Sequence, residues 1–190
     1  MRTSRGVTIV ELLVSLAIAA MLLTATAVAV DASFKAYSVN QLTSDLQQRA
    51  RVALHRMVSE IRSSTAHEPV SPSARSLFAS GVEADDNGIV LFRPDGEELR
   101  FFHDAQNQLL IARLDGIDRT LLEGVTNFRV TLTPMYSYVG GNIRRRVAVL
   151  QRASLLLTVR NVRTSADVNE QTAPVSVTLS SAVMPRQNSW

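Results

Sequence analysis

From Val7 to Val30 the chain carries one charged side chain, Glu11, in a mostly apolar run, VTIVELLVSLAIAAMLLTATAVAV. As a helix rising ~1.5 Å per residue this run reaches about 36 Å, enough to cross a hydrocarbon layer of ~30 Å. A segment that is apolar on every side cannot face water. It is either removed or covered by lipid and other helices. Arg2 and Arg5 precede it. The positive-inside bias therefore puts the N-terminus in the cytoplasm and everything after Val30 outside it.

Three fates fit such a run. A secretory signal peptide would use the basic start, the apolar stretch and Ala27-Val28-Ala29 as a small-residue cleavage site. A signal anchor would keep the helix in the bilayer. Neither needs an acid among the first apolar residues, where an unpaired carboxylate costs a few kcal/mol and marks a functional position. The third fate supplies a use for it. Gly6-Val7-Thr8-Ile9-Val10-Glu11-Leu12-Leu13-Val14 closely resembles the cleavage and methylation motif of type IV prepilins and pseudopilins. The resemblance implies that a membrane prepilin peptidase cuts after Gly6. Val7 then becomes an N-methylated N-terminus, and Glu11, fifth in the mature chain, becomes the assembly glutamate. Members of that family usually have Phe or Met where this chain has Val7. Cleavage would create a positive amine at Val7, and a neighbouring subunit's Glu11 could accept it. Two costly charges would then neutralise each other between staggered helices and set their axial register.

The net charge is +3 over 190 residues, and Arg2 and Arg5 account for most of that excess, so charge does not point to nucleic acid. Lys35 is the sole lysine, and there is no cysteine. A head exported by this chain must be held by core packing alone, with no disulfide, thiolate nucleophile or cysteine zinc site.

Between Asp31 and Thr65 there is neither Pro nor Gly. Leu42, Leu46, Ala50, Ala53, Met57 and Ile61 recur at helical spacing, with Asp45, Gln48, Arg51, Arg56 and Arg62 on the other face. One near-continuous helix from Val7 to about Ser64 is expected, its second half packing the apolar stripe on a head. Many pilins have a proline in the membrane segment. This chain has none near Val28, so no proline kink is expected.

His67-Glu68-Pro69-Val70-Ser71-Pro72-Ser73 reads as the end of the helix and a loop. Beyond it, Gly88 to Phe92, Glu98 to His103, Leu109 to Leu114, Val125 to Thr133, Val147 to Val159 and Val175 to Val183 read as strands between turn signals. Their short connections favour hairpins. The expected fold class is α+β and pilin-like: a long N-terminal helix, membrane-spanning in its first half, packed on a mainly antiparallel β-sheet head. The expected divisions are a leader at 1–6, a transmembrane assembly helix at 7–30, an amphipathic extracytoplasmic helix at 31–66 and a periplasmic β-rich head at 67–190. Two shorter resemblances lie in the second half. Glu123-Gly124-Val125-Thr126-Asn127-Phe128-Arg129-Val130 is similar to a strand of J-type minor pseudopilins and W-type minor pilins. The helix end from Arg49 through Ile61-Arg62-Ser63-Ser64 and the final Met184-Pro185-Arg186-Gln187-Asn188 are similar to theirs as well. Retention of Glu11 argues against a K-type tip subunit, whose family often lacks it.

Chemistry is sparse. His55, His67 and His103 are far apart, form no metal pair, and are expected at the surface or at caps. Asp85, Asp86 and Asn87 carry calcium-like oxygens before Gly88. They lack EF-hand spacing, and a turn is the plainer reading. No cofactor is expected, with calcium the one weak candidate. Gly140-Gly141-Asn142 reads as a loop. Arg144, Arg145 and Arg146, with Arg152 nearby, read as solvated loop charge, the sharper alternative being an acidic partner subunit or DNA. No aromatic platform accompanies them, which disfavours nucleic acid. No convergent set of titratable groups suggests an enzyme.

The resemblance implies a minor pseudopilin of a type II secretion system, initiating or capping a periplasmic filament for protein export. Its partners would be other pilin-like subunits through the N-terminal helix, the prepilin peptidase and an inner-membrane assembly platform. It would sit in the bacterial inner membrane with a cytoplasmic N-terminus and be extracted into the filament. The alternatives are a minor type IV pilin for adhesion, motility or DNA uptake, and an exported soluble binding protein.

Overall fold

The computed structural model describes residues 7–139, 145–161 and 175–186. Helix α1 spans Ile9–Ser63 without interruption. The chain forms two compact units, Met1–Gln41 and Leu42–Trp190. In the first unit the described residues after Thr8 are all helical.

In the second unit the remaining turns of α1 lead into β1 (Ala66–Pro69), α2 (Pro72–Ala79), β2 (Ala84–Asp86), β3 (Gly88–Phe92), β4 (Glu98–Asp104), β5 (Leu109–Leu114), β6 (Ile117–Glu123), β7 (Val125–Val139), β8 (Arg145–Arg160) and β9 (Ser176–Val183). All described pairings are antiparallel. The strands form two sheets, ordered β1-β3-β4-β5-β6 and β2-β7-β8-β9, where the sequence pattern suggested one. Two short connections explain the division. Gly124, at φ +74°, separates Glu123, which pairs with Leu109, from Val125, which pairs with Val159. That positive φ is readily open only to glycine, and it redirects the chain between sheets within one residue. Asn87 makes the other crossing, between β2 and β3, where its carbonyl accepts from His103 N at 3.0 Å.

The apolar stripe of α1 packs as its spacing predicts. Leu46, Ala50, Ala53, Met57 and Ile61 are buried, joined by Leu54, while Leu42 is half-buried. They share one hydrophobic core with Ile89, Leu91, Phe101 and Leu110 of the first sheet and Val130, Leu132, Leu155 and Leu157 of the second. The polar face, Asp45, Gln48, Arg51, Arg56 and Arg62, is exposed. Near the helix end, Arg93 in the β3–β4 turn places Nη2 3.0 Å from both Glu60 oxygens and Nη1 3.2 Å from Glu97. Burial pushes the Arg93 pKa down, but the two carboxylates outweigh it and leave the guanidinium more firmly protonated than usual.

Five elements depart from the sequence reading in whole or in part. The segment expected as loop at His67–Ser73 holds most of β1, and Pro69 is tolerated there because β1 is an edge strand. Pro72 starts α2 at its first turn, where a missing N–H costs nothing, instead of breaking structure. β2 and β6 are also additional to the expected strands. β6 is largely exposed and lacks alternation, as suits the edge of its sheet. Arg145 and Arg146 pair with Val139 and Tyr138 at the start of β8, so their backbone is strand where a loop was expected. Arg144 and Gly140-Gly141-Asn142 lie outside the described residues, as do Gln187 and Asn188.

His67 is a further departure: it caps, as expected of these histidines, but it is buried at 7% exposure. Its Nε2–H donates to the Ile61 carbonyl in the last turn of α1 at 2.8 Å. Burial lowers its pKa and outweighs the hydrogen bond, which raises it. The unfolded chain therefore binds a proton near pH 6.5 that the folded chain still refuses. The stability contributed by neutral His67 is complete above that pH and drains away as pH falls toward the depressed folded value, at up to ~1.4 kcal/mol per unit. Urea midpoints at pH 7.5 and pH 5.5 should differ accordingly, and His67→Asn should flatten the difference. An unchanged slope in that variant would assign the acid sensitivity elsewhere.

Candidate functional site

The site lies at the start of α1. Val7 precedes the helix, Thr8 caps it and Glu11 sits in its first turn. The Glu11 backbone N–H donates to Thr8 Oγ1 at 3.3 Å, and Leu12 N–H donates to the Thr8 carbonyl at 3.1 Å. Thr8-Ile9-Val10-Glu11 thus has the spacing of a capping box, with Glu11 at the third helical position. The sequence reading missed this role of Thr8, although the T-x-x-E spacing before an apolar run signals it. The carboxylate also sits near the positive end of the helix dipole, a favourable place for an anion. Gly6, the other half of the expected cleavage site, lies outside the described residues, as does the leader at 1–6.

Around this acid the helix offers lipid-compatible surface on every side. Ile9, Leu13, Leu16, Leu22 and Leu23 are all exposed, and none of the membrane-length window is buried. A patch of that size needs a cover. Three hydroxyls in the run, and Ser33 just past it, are already satisfied. Ser15, Thr24, Thr26 and Ser33 donate to the carbonyls of Leu12, Ala20, Leu22 and Ala29 at 2.8–2.9 Å. Such back-bonding lets hydroxyls enter hydrocarbon without unmet donors. Glu11 is the one side chain of the run whose charge needs something from outside it. At the far end, Asp31 and Lys35 pair at 2.9 Å across one turn, beside Phe34 and Tyr37, which are 70% and 67% exposed. Aromatic and charged residues together are what a membrane–water boundary favours.

The weaker candidates are not brought to a common point. On β2, Asp85 accepts from Thr131 Oγ1, and Asp86 accepts from Ser71 N at 2.6 Å, at the start of α2, and from Asn87 N at 2.8 Å. Their carboxylates serve the local structure. Among the described residues no three His, Asp or Glu groups are placed to hold a metal. His55 is exposed, and His103 donates from Nε2 to the Val125 carbonyl at 2.8 Å.

Residues 1–27 match the family model described as the prokaryotic N-terminal methylation motif. No curated protein and no solved structure matches the chain. The matched segment contains Gly6, Val7 and Glu11, and behind it stand a long apolar helix and antiparallel sheets. A methylation motif fused to this α+β architecture supports placing the chain among the type IV pilin-like and pseudopilin proteins.

Proposed function

We propose that the chain is a minor pilin-like subunit, a pseudopilin, of a type II secretion system that initiates or caps a periplasmic filament. It acts as a structural part without an enzymatic role or a cofactor. The observation that carries this reading is the lone acid in the first turn of a helix whose apolar sides are all uncovered, inside a matched methylation motif. In this reading Gly6 ends the leader, Val7 is the methylated N-terminus and Glu11 pairs with the amine of a neighbour. The protein resides in the inner membrane, single-pass with its head in the periplasm, until the filament takes it up. Its partners are sibling subunits, the prepilin peptidase and the assembly platform.

N-terminal sequencing of the mature chain tests this directly. Methylated Val7 is the expected first residue. A start near Val30 or Asp31 would leave a soluble head and favour an exported binding protein. A minor type IV pilin is the second reading, favoured by the similarity of the Glu123–Val130 segment to W-type as well as J-type subunits. Within that segment Val125, Phe128 and Val130 are core residues, so in this chain the pattern serves head packing and does not separate the two readings. Co-assembly with sibling pseudopilins is expected, and incorporation into a fibre of major pilin would assign the chain to the pilus.

A further inference from the structure

On the side of α1 away from the core, Val52, His55, Arg56, Ser59, Arg62 and Ser63 share one exposed face of the second unit. Among the described residues, no carboxylate pairs with the cations of this face. Glu60, the nearest carboxylate in the sequence, is engaged by Arg93, and Asp45 by Arg49. Arg51, Arg56, Arg62 and Arg186 take no carboxylate among the described residues. The segment after β9 brings Arg186 to the last turns of the helix. There His55, Val58, Ser59, Arg62, Ser63 and Arg186 line a cavity of about 300 Å³.

Part of this has a plain explanation. A cation in the last turn of a helix is favoured by the helix dipole, and Arg62 occupies that place. The dipole does not explain why Arg186, distant in sequence, converges on the same cavity beside His55 and two serines. Like charges lining one cavity repel each other, and an arriving oxyanion relieves that repulsion. Guanidinium forks bind carboxylates with two parallel hydrogen bonds. The surroundings favour an acidic side chain over a free anion. Val58 contributes an apolar wall, and Val52, 64% exposed, lies on the same face about one turn before His55. Apolar surface of that kind suits the methylenes and backbone of a protein partner and offers nothing to an inorganic ion.

We infer that this cavity receives a carboxylate side chain from a neighbouring pilin-like subunit, with Arg62 and Arg186 as its two anchors. The inference rests on the filament reading above and gives the head a contact of its own, separate from the one at Glu11. A photo-reactive amino acid at Ser59 of the full chain, in its host membrane, reads the contact. The same probe at Ala17 reports helix assembly. The expected adduct at Ser59 joins an acidic segment of a pilin-like subunit. Arg62→Glu, and the milder Arg62→Gln should the reversal impair folding, should each lower its yield about tenfold or more, as loss of a charge-assisted hydrogen bond implies. The Ala17 adduct should persist. Lysine in place of the cross-linked carboxylate on the neighbour should restore the yield with Arg62→Glu. An unchanged Ser59 adduct in both variants, or one to lipid, nucleic acid or a segment without acids, overturns the cavity's role while the Ala17 adduct keeps the filament reading intact. Absence of any Ala17 adduct with a pilin-like subunit removes the filament reading and this inference with it.

Discussion

On the filament reading proposed above, replacing Glu11 with alanine is expected to reduce incorporation into the filament by more than a hundredfold, while membrane insertion and leader cleavage continue. Removing one member of a desolvated ion pair leaves the other charge uncompensated, and that penalty is large. Insertion depends on the apolar run, which the substitution lengthens, and the expected cleavage site lies one turn earlier. The structure adds a control that the motif alone would not suggest. The Glu11 backbone N–H donates to Thr8 Oγ1, a bond that both the alanine and the glutamine variant keep. Glutamine, moreover, also serves at the glutamate position of a capping box. Glu11→Gln therefore keeps the cap, the length and the helix while removing the charge. The charge-pairing account requires it to fail like Glu11→Ala, measured as the fraction of processed chain recovered with partner subunits in sedimented filaments. Assembly of Glu11→Gln at the normal level would make the residue a cap and leave the neighbouring amine without a partner.

What could be read from the sequence followed physical range. The run from Val7 to Val30 and the stripe from Leu46 to Ile61 declare themselves because their patterns are local, and α1 takes in the stripe and all of the run but Val7 and Thr8. Gly88–Phe92 and Leu109–Leu114 are strands with the expected ends, since turn residues flank them. α2 escaped notice because its support comes from far along the chain. Its first residue follows Ser71, whose own side chain makes no cap, while Asp86 on β2 accepts the Ser71 N–H. A Pro-Ser run whose stabilising acceptor is fifteen residues away reads as loop. The division into two sheets was hidden for a related reason. It turns on Asn87 and on one glycine at φ +74°, and a glycine between two strands reads equally well as a hairpin turn. The site divides the same way. Glu11 was visible because an acid in apolar sequence is conspicuous. The cavity at Arg62 was not, because Arg186 meets it only after the whole head has folded.

The same distinction between local and assembled structure sets the largest stability effect. Phe101 lies on β4, the central strand of the five-stranded sheet, opposite Ile89 on one neighbour and Ala112 on the other. Its side chain is fully buried. Relaxation around it is restricted, because Gly88 packs so closely that a Cβ there would come within 2.5 Å of the Phe101 carbonyl. Phe101→Ala should therefore leave most of its cavity unfilled and cost about 3–5 kcal/mol. That is a large share of the ~5–15 kcal/mol typical of a whole domain, and this chain has no disulfide in reserve. Phe101→Leu, which retains most of the volume, should cost less than half as much. In detergent micelles the urea midpoint of the β-sheet circular dichroism should fall with an unchanged slope, since the same surface is exposed on unfolding. The apolar half of α1 draws nothing from this core, and its helical signal should survive after the sheets melt. A change below about 1 kcal/mol in Phe101→Ala would mean that the site refills, against the close packing of the Gly88 and Phe101 backbones.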